Sequence, residues 1–207
     1  GNGGKQNYRS NVVMVSKLPE VKTLDMLFNL FGVYGRIDRI KIMFHKRDTA
    51  LIQYQNAEMA HRAVRSLNNL PFNGSELQVK LSKDGPVAMP SDQDVEAKYF
   101  TKDYVDSGFN RGDIKNDHEI YTRAALPSAT LKISEFEESS EGDVRNLLSA
   151  DFPYVDFQLV KDNSNGICSA FVTYKTVDQA SRTLATLHTN EINGRKMFIE
   201  FVQSQLQ

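Results

Sequence analysis

Two stretches of this chain carry the same pattern of predicted elements. The first opens with VVMVSKL at residues 12–18 and later carries DTALIQY at 48–54. The second opens with LKISEF at 131–136 and later carries CSAFVTY at 168–174. In both, alternating apolar residues predict strands and apolar residues at helical spacing predict helices, in the order strand, helix, strand, strand, helix, strand. A repeat of this kind predicts two small domains of one fold.

The composition allows two modest hydrophobic cores. Of 207 residues, 40% are hydrophobic and 25% are charged, which is ordinary for a globular protein. No apolar run approaches the roughly 18 residues that a membrane helix needs, and no signal-peptide pattern occurs. A single cysteine, Cys168, excludes an internal disulfide and fits a reducing compartment, the cytosol or the nucleus. Residues 1–9 are expected to form a disordered leader.

The net charge of −1 hides an uneven distribution. Residues 8–90 hold 12 Lys and Arg against 7 Asp and Glu. Residues 91–129 hold 5 against 8, and residues 130–207 hold 7 against 11. The basic charge is therefore concentrated in the first half, where attraction to phosphates would need it, although chance unevenness would give the same pattern.

Alternation along the strands of the first half divides their side chains between two faces. Both predicted helices must cover the same face of one antiparallel sheet, which leaves the other face open to water. That open face carries apolar side chains among polar and basic ones: Met14, Lys41, Met43, Leu51, Gln53 and Lys80. It suits bases stacked on the sheet, with phosphates at a rim that includes Lys46, Arg47 and Lys83. The same face could instead be covered by another protein, or by a helix that follows the domain.

Short strings in the first half carry a family resemblance. The octamer of an ordinary RNA-recognition motif reads K/R-G-F/Y-G/A-F-V-x-F/Y. Here RDTALIQY places Thr49 and Leu51 where stacking aromatics are expected, and Met14 replaces a further aromatic on the first strand. This non-aromatic version, with LFGVYGRIDRIKIMF, KLSKDGPVAMP and TKDY, resembles the family of polypyrimidine-tract-binding protein and heterogeneous nuclear ribonucleoprotein L. The match is to the third and fourth modules of those proteins and covers nearly the whole chain.

The resemblance implies an α+β fold of two RNA-recognition motifs. Each would have ferredoxin-like βαββαβ topology, with a four-stranded antiparallel sheet backed by two helices. In that family the segment after the fourth strand can add a fifth, and VAMP at residues 87–90 matches that segment. The expected domains are a first motif over residues 10–90, a linker over 91–128 and a second motif over 129–207.

The linker is acidic but holds apolar residues throughout its length: Val95, Tyr99, Phe100, Tyr104, Phe109, Ile114, Ile120 and Tyr121. A simple tether would be rich in Gly and Ser, whereas a long loop with its own apolar residues is expected to pack. The resemblance implies that the two motifs dock through their helical faces with the linker between them, so that RNA would loop from one sheet to the other. The alternative is a disordered linker with scattered aromatics.

The second half predicts a less favourable RNA surface. Alternation places a plausible stacking set on its open face: Lys132, Ser169, Phe171 and Phe198. Glu200 lies on the same face, and this half of the chain is acidic. Stacking contributes roughly 1–3 kcal/mol per base, but acidic surroundings weaken the attraction of phosphates. We therefore expect this motif to bind RNA weakly, or to serve mainly as a docking partner.

The chain shows no pattern of an enzyme or a metal site. Its four histidines and single cysteine lack metal-ligand spacing, and no phosphate-binding glycine loop, G-x-S-x-G or H-E-x-x-H string occurs. A fold of this type also hosts small hydrolases, but a shallow sheet surface offers few converging titratable groups. We expect no enzymatic activity, no cofactor and no metal.

These observations predict a binder of single-stranded RNA, and the resemblance implies that it acts in splicing or other mRNA processing. The expected RNA is pyrimidine-rich or, second, CA-rich, because the two relatives differ in that preference. Candidate roles are base-edge reading by Lys80, Ser82 and Lys83, base support by Met14, Met43 and Leu51, and phosphate contact by His45, Lys46 and Arg47. Phe44 either points inward by alternation or turns out to stack.

The expected setting is a nuclear monomer. It would shuttle to the cytoplasm, contact other splicing or ribonucleoprotein factors and bind no membrane. The alternative is a protein-interaction module that kept the fold and lost most RNA affinity, which the missing aromatics favour and the basic first half opposes.

Overall fold

A computed structural model describes residues 10–111, 124–162 and 165–203. The leader predicted over residues 1–9 and the linker aromatics Ile114, Ile120 and Tyr121 lie outside these ranges. In the first half, the chain forms the expected order of elements with a short hairpin before the last strand: β1 (Val12–Ser16), α1 (Leu24–Phe31), β2 (Ile37–Ile42), β3 (Ala50–Tyr54), α2 (Ala57–Leu67), β4 (Pro71–Phe72), β5 (Ser75–Glu76) and β6 (Gln78–Leu81).

Local signals explain where the two helices begin. Thr23 and Asn56 precede α1 and α2, and their side-chain oxygens accept hydrogen bonds from the N–H groups of Met26 and Met59. These bonds satisfy donors that a helix leaves unpaired at its first turn. After α1 the chain packs tightly, since a Cβ at Gly35 would lie 2.5 Å from the Cβ of Met59. Glycine is required at that position because no side chain fits.

The first sheet has the strand order β6-β1-β3-β2, and neighbouring strands are antiparallel. Val13 and Val15 of β1 are buried against the helices, whereas Val12 and Met14 point to the opposite face, as alternation predicts. The hydroxyl of Tyr54 on β3 donates to the carbonyl of Phe31 at 2.8 Å, which ties the sheet to the end of α1.

A fifth strand joins this sheet, but from a different segment than expected. Residues 87–90 form no strand, so the prediction from VAMP was wrong. Instead, α3 (Val95–Tyr99) leads into β7 (Thr101–Asp103), which pairs antiparallel with β2. Residues 87–89 lie between Pro86 and Pro90, and prolines have no N–H to give to a strand ladder.

The second half repeats the same topology: β8 (Thr130–Glu137), α4 (Glu141–Leu148), β9 (Tyr154–Lys161), β10 (Ile167–Tyr174), α5 (Val177–Leu187), β11 (Glu191–Ile192), β12 (Arg195–Lys196) and β13 (Phe198–Phe201). Its sheet has the order β13-β8-β10-β9. Tyr174 donates to the carbonyl of Leu148 at 2.6 Å, the counterpart of the Tyr54 bond in the first half. The predicted α+β class with two RNA-recognition-motif folds is confirmed.

The helices of the two halves pack against each other, α1 against α5. Asn29 of α1 is buried, and its side-chain amide donates to the carbonyls of Ala185 and His188 at 2.9 and 3.1 Å. Nearby, both oxygens of Asp178 accept hydrogen bonds from backbone N–H groups of the β4–β5 hairpin. The buried apolar residues beneath the two sheets form a cluster that runs through both halves. Each sheet therefore turns its uncovered face outward.

The described part of the linker packs beside α1 and β2. The ring of Tyr104 stacks on Phe28 with centroids 4.2 Å apart, and its hydroxyl donates to Asp25 at 2.8 Å. Asn110 is buried and accepts a hydrogen bond from the N–H of Ile37 at 2.9 Å. Within the described ranges, no helix is long and apolar enough to cross a membrane.

Candidate nucleic-acid interface

The outward face of the first sheet is built from two aligned rows of side chains. Pairing between the strands sets Lys80, Met14, Leu51 and Lys41 side by side in the central row. A neighbouring row toward the start of β1 contains Val12, Gln53, Arg39 and Asp103. Four predicted site residues thus share one row that crosses the sheet from β6 to β2.

The segment that leaves β6, residues 82–90 (the exit segment), covers part of this face. Val87 packs on Val12 and Leu51, and the three side chains are 2%, 1% and 8% exposed. The Val87 N–H donates to the side-chain oxygen of Gln53 at 2.8 Å, and the Val87 carbonyl accepts from Arg39 at 2.9 Å. The backbone polar groups of Val87 are thereby satisfied without a sheet ladder.

The exit segment makes three of the predicted site residues inaccessible to a ligand on this face. Leu51 lies beneath Val87, Gln53 is bonded to it, and Ser82 is buried with its hydroxyl accepting from the N–H of Asp84 at 3.1 Å. Met14 and Met43 are partly buried against the same small cluster and remain partly accessible. The part of the face that stays accessible to a ligand (the usable part) therefore lies toward β2 and the β2–β3 turn.

Basic side chains ring this usable part. Lys46, Lys80 and Lys83 are exposed, as is His45, and Lys41 is half-buried. Within the described residues, none of the three exposed lysines takes part in an ion pair. Other cations of this half are paired, such as Arg39 with Asp103 at 3.2 Å. The lysines of the rim are thus available to an outside anion.

Phe44 turns away from the core and packs on the linker. Its ring meets that of Phe100 edge-on with centroids 5.6 Å apart. The guanidinium of Arg47 lies over both rings, 5.2 Å from the centroid of Phe44 and 5.0 Å from that of Phe100. Arg47 therefore helps to hold the linker on the β2–β3 turn through cation–π contact, while its surface position leaves it near the rim.

The face of the second sheet carries a row of Gln158, Phe171, Lys132 and Glu200. Ser169 lies beside Val160 in the next row, and Phe198 lies on the edge strand opposite Ser134. Phe171 and Phe198 are half-buried, and Val160 is 48% exposed. The predicted four residues do share one face, but Lys132 is directly opposite the acidic Glu200.

Sequence reasoning missed several residues of these faces. Gln158 and Val160 could have been found, because alternation along YVDFQLVK points both outward. Val87 had a weaker signal, because it is one of three apolar residues between two prolines and nothing in the sequence marks it as the one that is buried. No sequence signal pointed to Arg39, because its role depends on where the exit segment crosses the sheet.

Burial shifts the ionisation of groups around the linker and the domain contact. Burial alone would raise the pKa of Asp25, but hydrogen bonds from Lys102 and Tyr104 outweigh it and hold that pKa below its ordinary value. Burial, with Arg111 nearby, holds the pKa of His188 well below the ordinary value. No described group of three or more His, Cys, Asp or Glu side chains has the arrangement of a metal site.

Comparison with known proteins agrees with this architecture. A sequence profile of the RNA recognition motif, also called RRM, RBD or RNP domain, matches residues 1–107. Polypyrimidine tract-binding protein homolog 3 of Arabidopsis thaliana is 29% identical over 182 residues, which cover 87% of this chain. The chain spans 40% of the length of that relative.

The solved structures that the chain matches include two tandem-domain proteins. One holds the first two RRM domains of yeast poly(U) binding protein Pub1, at 18% identity and a TM-score of 0.34. The other holds RNA recognition domains 1 and 2 of Sex-lethal from Drosophila melanogaster, at 15% identity and a TM-score of 0.34. Each match covers 93% of this chain and 99% of the other. Because the matched profile covers more than half of the chain, the chain belongs to the RNA recognition motif family and, as its residues predicted, is similar to a polypyrimidine tract-binding protein.

Proposed function

We propose that this chain binds single-stranded, pyrimidine-rich RNA across the accessible part of its first sheet. The observation that carries the proposal is a ring of lysines around Met14 and Met43 that have no ion-pair partner among the described residues. Flat bases can rest on thioether and apolar atoms there, while Lys41, Lys46 and Lys80 meet the phosphates. Without stacking aromatics, each base is held less firmly than on an ordinary motif, so phosphate attraction supplies a larger share of the affinity.

The exit segment sets one boundary of this site. It covers the row of Val12 and Gln53, so the RNA path runs between this segment and the β2–β3 turn. Lys80 and Lys83 flank the path on the β6 side and are candidates to read base edges. The second sheet, with Phe171 and Phe198, is a weaker site, because the acidic charge of that half opposes the approach of phosphates.

At the level of the cell, the proposed role is regulation of pre-mRNA splicing or mRNA processing in the nucleus, with shuttling to the cytoplasm. Two outward-facing sheets would require a bound RNA to loop around the docked domains. CA-rich RNA is the second candidate ligand, and other ribonucleoprotein factors are candidate partners of a monomeric chain. The family is one of nucleic-acid-binding modules, in keeping with a role by occupancy and without catalysis.

The direct test is a salt titration of affinity with short pyrimidine and CA oligomers. Between 50 and 200 mM salt we expect specific binding to weaken steeply. The double variant Lys80→Ala, Lys83→Ala should flatten the plot of log affinity against log salt. The change is about 1.4 if both lysines contact phosphates, since each phosphate contact to a single strand contributes roughly 0.7, and it is smaller if one of them contacts a base edge. Lys175→Ala, an exposed lysine of the second domain, is the control and should leave the slope nearly unchanged.

The second candidate function is a protein-interaction module. The exit segment favours it, because Val87 occupies apolar surface that a stacking platform would otherwise offer. If neither oligomer binds with micromolar or better affinity at the lower salt concentration, this second function replaces the first.

A further inference from the structure

A pocket of about 430 Å³ opens where the first sheet ends at the β2–β3 turn. One wall comes from the end of β2 and the turn: Lys41, Met43, Phe44, His45 and Lys46. The other wall comes from the linker, at the start of α3: Asp94, Glu96 and Ala97. The pocket therefore combines the basic rim of the proposed RNA surface with acidic residues of the segment that leads into β7.

The linker wall is held in place by contacts within the chain. Strand β7 pairs with β2 so that Thr101 lies opposite Lys41, and the N–H of Ile42 donates to the carbonyl of Phe100 at 2.7 Å. The Phe44, Phe100 and Arg47 cluster fastens the same stretch to the turn. Asp94 caps α3 by accepting from the N–H of Ala97 at 3.1 Å. A preformed wall avoids the entropy cost of ordering a loop on binding.

The pocket lies in the path that an RNA strand would take across the sheet. The central row runs from Lys80 on β6 through Met14 and Leu51 to Lys41 on β2, and Lys41 also lines the pocket. An RNA strand that follows this row to Lys41 and turns toward the β2–β3 turn meets this cavity next. Its volume lies in the range of small-molecule sites and is ample for one nucleobase.

The lining favours some bases over others. Met43 and Phe44 offer apolar contact to a base plane, and Lys41 and Lys46 are donors for ring and carbonyl acceptors. The Glu96 carboxylate is an acceptor only, is exposed, and has no hydrogen bond or ion pair within the described residues. It can accept from the exocyclic amino group of cytosine, whereas uracil presents a carbonyl oxygen at the same position and would be repelled.

We propose that this pocket binds one nucleobase with an exocyclic amino group, cytosine in a pyrimidine tract, and that Glu96 distinguishes it from uracil. The inference rests on the proposed function and adds to it a specificity element from the linker. It makes α3, the short helix that precedes β7, part of the RNA-binding surface.

The test measures the affinity of the full chain for a uridine hexamer and its single-cytosine variants. At one position, cytosine should bind about five-fold to ten-fold tighter than uracil, the effect of one discriminating base contact. Glu96→Gln should bring this ratio close to one. Glu96→Lys should reverse it, because an ammonium donates to the uracil oxygen and not to an amino group.

Asp92→Lys is the matched control. Asp92 lies four residues before Glu96, is paired with Lys98, and does not line the pocket, so the substitution makes the same charge change outside it. It should tighten binding to every hexamer by phosphate attraction and leave the cytosine-to-uracil ratio as in the original chain.

Two failures are distinguishable. If the original chain binds none of the hexamers, the proposed function falls and this inference falls with it. If it binds them but no position prefers cytosine, or if Glu96→Lys and Asp92→Lys give the same ratio, the pocket assignment is overturned and RNA binding by the sheet stands.

Discussion

His188 joins two parts of the molecule at the level of single hydrogen bonds. Its ring is buried, and Nδ1 accepts the N–H of Ile199 on the edge strand β13 at 3.0 Å. Its backbone carbonyl accepts the side-chain amide of Asn29 from the first domain. A protonated ring would carry a hydrogen on Nδ1 and could not accept from Ile199, so the native structure requires the neutral form.

This requirement predicts a loss of stability in mild acid. The pKa of His188 is held low in the folded chain by burial and by Arg111, whereas in the unfolded chain it is about 6.5. Below that pH the unfolded chain binds a proton that the folded chain does not, so the free energy of unfolding falls, by up to about 1.4 kcal/mol per pH unit. Urea unfolding between about pH 7.5 and about pH 5.5 measures this dependence.

The comparison variant for this pH dependence is His188→Gln, which removes the titrating ring. The variant is expected to be less stable than the original chain at neutral pH, but its stability should depend less on pH in that interval. Equal pH slopes for the two proteins would show that His188 does not carry the effect.

Single side chains of the candidate site were predictable only as far as strand alternation reaches. Alternation correctly places Met14, Lys41 and Lys80 on one outward row. It could not show that Leu51 and Ser82 on that face are buried, because their cover comes from the exit segment, which has no periodic pattern. The role of Phe44 was open for the same reason, since its neighbour Phe100 is distant in sequence.

The exit segment is the element with the largest effect on the candidate site. Its anchor is Val87, which fills the space above Val12 and Leu51. The flanking residues Ala88 and Met89 are exposed and make no such contact in that cluster. The cover therefore depends on one buried side chain and on the two hydrogen bonds of its backbone.

We expect Val87→Ser to cost about 1–2 kcal/mol of the free energy of unfolding, because a buried apolar side chain is lost and a hydroxyl takes its place. Met89→Ser, a substitution of an exposed neighbour, should cost less than about 0.5 kcal/mol. Urea denaturation of both variants gives the comparison. Similar costs for the two would mean that the exit segment is not anchored through Val87.

The strands and helices of both halves follow from hydrophobic periodicity, and most begin or end within a few residues of the predicted position. The fifth strand does not follow from hydrophobic periodicity. Thr101–Asp103 is three residues long and polar, so nothing in its pattern predicts a strand. Its pairing depends on the position of the linker, which Tyr104 and Asn110 hold against the first domain.

For the whole molecule, the central feature is a shared core between the two halves. Packing of α1 on α5 gives each domain a covered helical side and an outward sheet. This arrangement could be expected only from the family resemblance, because a contact between Asn29 and His188 leaves no local trace in the sequence. It separates the two candidate RNA surfaces and places the basic one on the first domain.

The most direct test of this account is to titrate the full chain with a short pyrimidine oligomer and follow its backbone amide and methyl signals by NMR. We predict shifts along β1, β2 and the β2–β3 turn, including Met14 and Met43, and little change in α1 and α5. Shifts confined to the helices, or an unchanged first sheet at saturating RNA, would contradict the claim that RNA lies on the outward face of the first domain.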